Sequence, residues 1–179
     1  MKNQFTAIPQ VYAQEIARGS GDTSKIRLIV WRGAINLWQS SPKNMLIGTG
    51  PETFAYNFLP YRPKELNQTS EWDFLYNKAH NEYIDILVEQ GLIGFTAYLI
   101  LLGIFVRQFL SINSKLQITS SKNTKYKILD TKYLSVALLS GWIGFLVTNF
   151  FGFTVVPTAL LFWLYPAILV SFSGYNELQ

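Results

Sequence analysis

The sequence predicts an all-α protein that crosses a membrane several times, with a helical extracytoplasmic region leading into three transmembrane helices. Three observations carry this. Tyr133 to Asn176 is a run of 44 residues without a charge, and Gln90 to Val106 is a second such run of 17. The stretch between them, residues 107–132, holds six basic side chains (Arg107, Lys115, Lys122, Lys125, Lys127, Lys132) against Asp130 alone, while residues 1–90 balance nine basic with nine acidic. Finally, 15% of the 179 residues are charged and 49% are hydrophobic, far from the roughly 25% charged of an ordinary soluble domain.

The spans follow from length. As one helix, the 44-residue run would reach about 66 Å, twice a hydrocarbon core of about 30 Å. It therefore divides into two spans, about 133–152 and 156–173, with the reversal at Gly152 through Pro157. The shorter run gives the first span, about 91–111, in which Arg107 snorkels while Phe109 and Leu110 extend the apolar surface. The lysine-rich connector 112–132 is short, so its charge places it in the cytoplasm. That orientation puts residues 1–90 outside and the C-terminus in the cytoplasm. The first ten residues have no apolar stretch of the kind a secretory signal needs. The simpler expectation is a C-terminal part of a larger polytopic protein, with its N-terminal helices missing.

Composition also excludes chemistry. There is no Cys and only one His, so thiolate nucleophiles, disulfides and sites needing two imidazoles are ruled out. The excess positive charge belongs to one loop, which argues against nucleic acid as a partner, and no cofactor motif is present. Glu82, Asp85 and Glu89 could attract a cation, but carboxylates on one side of a single helix rarely converge, and no metal site is expected.

Within residues 1–90, a short helical stretch from Val11 to Arg18 ends at Gly19-Ser20-Gly21. Asp22, Thr23 or Ser24 then caps a helix over 24–39. On a helical wheel Leu28, Trp31, Ala34, Ile35 and Trp38 share a face with Arg27, whereas Lys25 and Arg32 fall on a polar stripe. Arg27 thus has two readings: stacked on Trp31 with its head in water or headgroups, or held in a partly dry groove suited to phosphate. Pro51 fits the first position of a helix over 51–59, after a Gly48-x-Gly50 turn. That turn is either a plain connection or a set of backbone N–H groups facing an anion. Residues 60–78 read as an irregular aromatic loop carrying Arg62, Lys64 and Glu71. A helix over 79–90 places His80 with Tyr83, Ile84 and Leu87 on one face and Glu82, Asp85 and Glu89 on the other. His80 is either a packed, hydrogen-bonded residue or a general base for a hydroxyl.

In order, Arg27-x3-Trp31, Pro42-x5-Gly48-x-Gly50-Pro51-x2-Phe54 and Ala79-His80-Asn81-Glu82-Tyr83-x5-Glu89-x-Gly91-Leu92-Ile93-Gly94 heading a membrane helix resemble the O-antigen ligase and O-antigen polymerase-like family. The resemblance covers about residues 20–110 by motif. It implies a multi-pass bacterial inner-membrane glycosyltransferase that moves a glycan from an undecaprenyl-diphosphate carrier to an acceptor hydroxyl, a glycan or a lipid A-core type molecule, without metal or cofactor. Carried over residue by residue, Arg27 engages the lipid diphosphate and His80 orients or deprotonates the acceptor. Trp31, Arg32, Arg62, Lys64, Gly48, Gly50 and Glu82 are the further candidates around the substrate; Gly48 and Gly50 would also form the structural turn, and Glu82 and Glu89 would hold the helix. Two other readings stand beside it. A transporter or transport accessory protein, of the inorganic-carbon type, would share the layout, although the three spans carry no internal ionisable residue. A truncated, inactive remnant would leave Arg27 and His80 merely structural.

Overall fold

A computed structural model of the chain describes the backbone of residues 10–118 and 125–177 and the side chains of residues 23–111 and 133–171. No strand occurs among the described residues. Helices α1 (Gln10–Trp38), α2 (Pro42–Ile47) and α3 (Phe54–Phe58) come first, followed by two 3-10 turns at Leu59–Tyr61 and Lys64–Gln68. Three long helices complete the chain: α4 (Glu82–Ile118), α5 (Lys125–Phe151) and α6 (Val156–Glu177).

Several local expectations are corrected. α1 runs unbroken through Gly19-Ser20-Gly21, so neither the separate stretch at 11–18 nor the cap at 22–24 exists. Glycine costs an α-helix only about 1 kcal/mol per residue, too little to stop a helix whose later turns are packed. The buried stripe of α1 is Ile26, Val30, Ala34 and Leu37, rotated away from the Trp31-centred face of the wheel, and Leu28 is exposed. Gly33 explains the rotation. A Cβ there would lie 2.7 Å from Pro63 Cδ and 2.9 Å from the Tyr61 carbonyl, so the loop after α3 sits directly on this side of α1. Pro51 does not open a helix; the proline at a first helical position is Pro42, behind Ser41, whose hydroxyl accepts from Asn44 N at 3.1 Å. α3 begins only at Phe54.

The core of this N-terminal region joins the α1 stripe to Phe54, Phe58, Leu66, Tyr76, Ala79 and Val88. Each large apolar side chain so buried contributes about 1.5–3 kcal/mol. Phe54 and Phe58 also stack, with ring centroids 4.9 Å apart.

A backbone crossing ties the N-terminal region to α4. Gly48 (φ 75) and Gly91 (φ 65) lie back to back. A Cβ on Gly48 would come within 2.3 Å of the Glu89 carbonyl, and one on Gly91 within 2.4 Å of the Leu46 carbonyl. Here Thr49 N donates to the Val88 carbonyl at 3.0 Å and Gly50 N to the Glu89 carbonyl at 2.9 Å. Carbonyls left open where α4 breaks at Gly91 are thereby satisfied.

After that break α4 changes character: Leu92, Ile93, Ile100 and Ile104 are exposed. Glu82–Ser111 and Tyr133–Phe151 are long and apolar enough to cross a membrane, and the apolar part of α6, Val156–Ser171, is shorter. The three helices share an aromatic seam in which Trp142 lies 5.1 Å from Phe105 and 5.5 Å from Phe162. Apolar side chains facing outward on helices of this length fit a hydrocarbon solvent. The central residues of the basic connector, 119–124, and the side chains of 112–132 lie outside the described residues.

Candidate functional site

The site is built on the flank of α1 and the loop that runs from Gln68 to Asn81. One flank of the α1 stripe presents Thr23, Ile26, Arg27 and Val30; the loop adds Glu71, Tyr76, Ala79 and His80. Together they line a cavity of about 70 Å³, room for several water molecules and hence for a small polar group. Arg27 and His80, far apart in sequence, are thus brought together.

His80 does not lie on a helix as the periodicity predicts. α4 begins at Glu82, and His80 precedes it in the left-handed region with φ 56, a conformation that costs a non-glycine residue about 1–3 kcal/mol and persists only when its surroundings impose it. The surroundings are specific. On one side, Ala79 N donates to Asp85 Oδ1 at 2.7 Å, and the Ala79 carbonyl accepts from Trp31 Nε1 at 2.9 Å. On the other, Asn81 Nδ2 donates to the Phe150 carbonyl at 3.0 Å while Asn81 Oδ1 accepts from Ile84 N at 3.1 Å, capping α4. Clamped at both neighbours, His80 has its ring between Tyr76 and Phe153, centroids 6.5 and 5.2 Å away at steep interplanar angles.

Burial pushes the His80 imidazole below its ordinary value of 6.5, the Arg27 guanidinium pushes it the same way, and the Glu71 carboxylate opposes them. The outcome is an imidazole that is neutral near neutral pH and able to accept a proton. Tyr76 donates to Glu71 Oε2 at 2.6 Å. Burial, with that carboxylate, raises the Tyr76 hydroxyl above the ordinary phenol range, so its proton stays on oxygen and the bond to Glu71 is kept.

The other sequence candidates lie elsewhere. Trp31 does not line the cavity but holds the Ala79 carbonyl beside His80, its ring edge-on to Phe150 at 5.7 Å. Arg32 pairs with Glu65 at 2.7 Å, both side chains 55% exposed. Arg62 directs Nη2 at the Glu71 and Trp72 carbonyls, 3.2 and 2.6 Å away, and Lys64 is exposed in a 3-10 turn. Gly48 and Gly50 sit at the α4 crossing, where the N–H groups of Thr49 and Gly50 are engaged by carbonyls. Glu82 Oε2 accepts from Thr154 N at 2.7 Å, pinning the turn between α5 and α6.

Of the three carboxylates predicted on the face opposite His80, two are buried and Glu82 is half-buried. Asp85 and Glu89 are 3% and 6% exposed. Glu89 accepts from Phe54 N at 3.3 Å and lies 3.6 Å from Lys78 Nζ. Each acid therefore serves a backbone N–H of a neighbouring irregular segment, a demand that arises only once those segments pack there. Among the described residues no group of three His, Cys, Asp or Glu side chains is placed to hold a metal.

Sequence reasoning singled out neither Tyr76 nor Glu71 as a site residue. Both come from a loop without periodicity, and their only signal was an aromatic and an acid close together.

A family model described as O-antigen ligase matches residues 3–99, more than half of the chain. No curated protein and no solved structure matches it.

Proposed function

The chain belongs to the O-antigen ligase family, and from that premise we propose that it transfers a glycan from an undecaprenyl-diphosphate carrier to an acceptor hydroxyl at the extracytoplasmic face of the bacterial inner membrane. The observation that carries the reading is the shared cavity: a guanidinium and an imidazole, Arg27 and His80, line one partly enclosed space together with Glu71 and Tyr76.

The chemistry suits these groups. The acceptor oxygen forms a bond to the anomeric carbon as that carbon's bond to the diphosphate oxygen breaks, the bonding electrons leaving with the diphosphate. His80 takes the hydroxyl proton. Arg27, a bidentate donor in a site of reduced water content, stabilises the charge that grows on the diphosphate. The proton held by His80 then passes to solvent or to the departing phosphate, restoring the neutral base.

The proposed setting has residues 1–90 outside the membrane, α6 as the third span and the basic connector in the cytoplasm. In that frame His80 stands just before the helix that enters the bilayer, within reach of a diphosphate at the headgroup level. The lipid tail of the donor would lie along the exposed apolar surface of α4.

The test is glycan transfer in membranes carrying the full-length protein, with an undecaprenyl-diphosphate-linked glycan as donor. His80→Ala and Arg27→Ala are each expected to reduce transfer by about a hundredfold or more with unchanged amounts of protein in the membrane. Wild-type rates in both variants would refute the assignment.

A further inference from the structure

We propose that Glu71 is a positioning residue of this cavity, its Tyr76-held carboxylate acting on the His80 imidazole and confining the diphosphate to the Arg27 side. This rests on the reading of His80 as the base. Three observations support a built arrangement. Glu71 lines the same cavity as Arg27 and His80. Its carboxylate is fixed by Tyr76, whose side chain is 2% exposed and cannot swing away. Its backbone is held from both directions: Thr69 Oγ1 accepts from Glu71 N at 3.3 Å, and Arg62 donates to the Glu71 carbonyl at 3.2 Å and the next carbonyl at 2.6 Å. Such a set of contacts fixes an otherwise irregular segment at the one point where it carries an acid into the cavity.

The ring of Tyr76 also meets the ring of His80 edge to face at 6.5 Å, so the residue that orients Glu71 packs against the imidazole too. The charged groups acting on His80 are then Arg27 from α1, which disfavours its protonation, and Glu71 from the loop, which favours it. Burial and Arg27 both lower the basicity of His80. A carboxylate beside it offsets that loss. The same negative charge repels phosphate, which makes the cavity two-sided: anion toward Arg27, hydroxyl toward His80.

His80 is the only histidine in this chain, and the imidazole resonance that disappears in His80→Ala identifies the site in the full-length protein held in nanodiscs. In Glu71→Gln the titration midpoint of that resonance is expected to fall by about half a pH unit or more. The acid limb of the transfer rate should move down with it. Inorganic pyrophosphate, used as the probe, is expected to bind severalfold more tightly to Glu71→Gln, because a like charge is gone. Glu71→Asp keeps the charge and should lie between wild type and Glu71→Gln. A residue that only braces the loop would weaken or leave unchanged pyrophosphate binding and would not shift the midpoint downward. Either of those results overturns the proposal. If His80→Ala abolishes transfer while Glu71→Gln leaves the midpoint in place, Glu71 is excluded and the function stands. Should His80→Ala retain transfer, both fall together.

Discussion

His80 occupies a backbone conformation that suits glycine, and the hydrogen bonds on Ala79 and Asn81 hold it there. A histidine kept where glycine would be at ease points to a side chain needed for its chemistry. His80→Gly is therefore expected to unfold within about 1 kcal/mol of wild type, strain relief offsetting the lost ring contacts, yet to have no transfer activity. Thermal unfolding and a transfer assay on the same preparation check this. The titration of the sole imidazole gives a second prediction. Its midpoint should lie below 6.5 and rise in Arg27→Gln. The sign for stability follows: the folded state leaves His80 neutral where the unfolded chain already binds a proton, so its contribution to stability declines as pH falls through 6.5 and levels off below the folded midpoint. The sequence singled out Arg27 and His80, because an arginine on a tryptophan-bearing face and a lone histidine at the mouth of a span stand out. It did not place His80 correctly. Asn81 caps α4 three residues before Ile84, and that local signal starts the helix after the histidine instead of before it.

Gly48 and Gly91 decide how the elements fit. Their α-carbons leave room for two backbones to cross, and both have positive φ. Gly48→Ala or Gly91→Ala combines a forced clash with backbone strain and is expected to cost at least about 2–4 kcal/mol, read as loss of protease-resistant protein from the membrane. Glu82→Gln tests a different joint. It weakens the charge-assisted bond to Thr154 N and is expected to cost about 1–2 kcal/mol without moving the His80 midpoint. A shift of that midpoint would show that Glu82 belongs to the site and not to the turn. Helix identity was legible over the long elements, where apolar runs are unmistakable. The ends were not. The α1 register depends on Pro63 and Tyr61 packing over Gly33, and the inward turn of Glu89 depends on the N–H of Phe54, remote in sequence. Neither dependence leaves a periodic trace.

For the molecule as a whole, an N-terminal helical region is braced on two apolar helices long enough to cross a membrane, with α6 beside them. The proposed orientation is testable by cysteine labelling, since this chain has no Cys of its own and the unsubstituted protein supplies the background. Asp73→Cys, in the exposed loop, should react with an impermeant maleimide in intact spheroplasts, whereas Lys115→Cys should react only after permeabilisation; the reverse pattern would invert the topology. Membrane character was the most legible feature of the sequence, since uncharged runs and a segregated basic stretch need no tertiary information. The cavity was the least, since half of its lining comes from a loop without pattern. The central claim is that Arg27 and His80 line one cavity, with the diphosphate held by Arg27 next to the imidazole. Adding inorganic pyrophosphate to the full-length protein and following the imidazole resonance tests it most directly. An anion held beside His80 favours its protonation, so the midpoint should rise saturably in wild type and stay fixed in Arg27→Ala. A midpoint that ignores pyrophosphate in wild type, or responds equally in both proteins, would contradict the account.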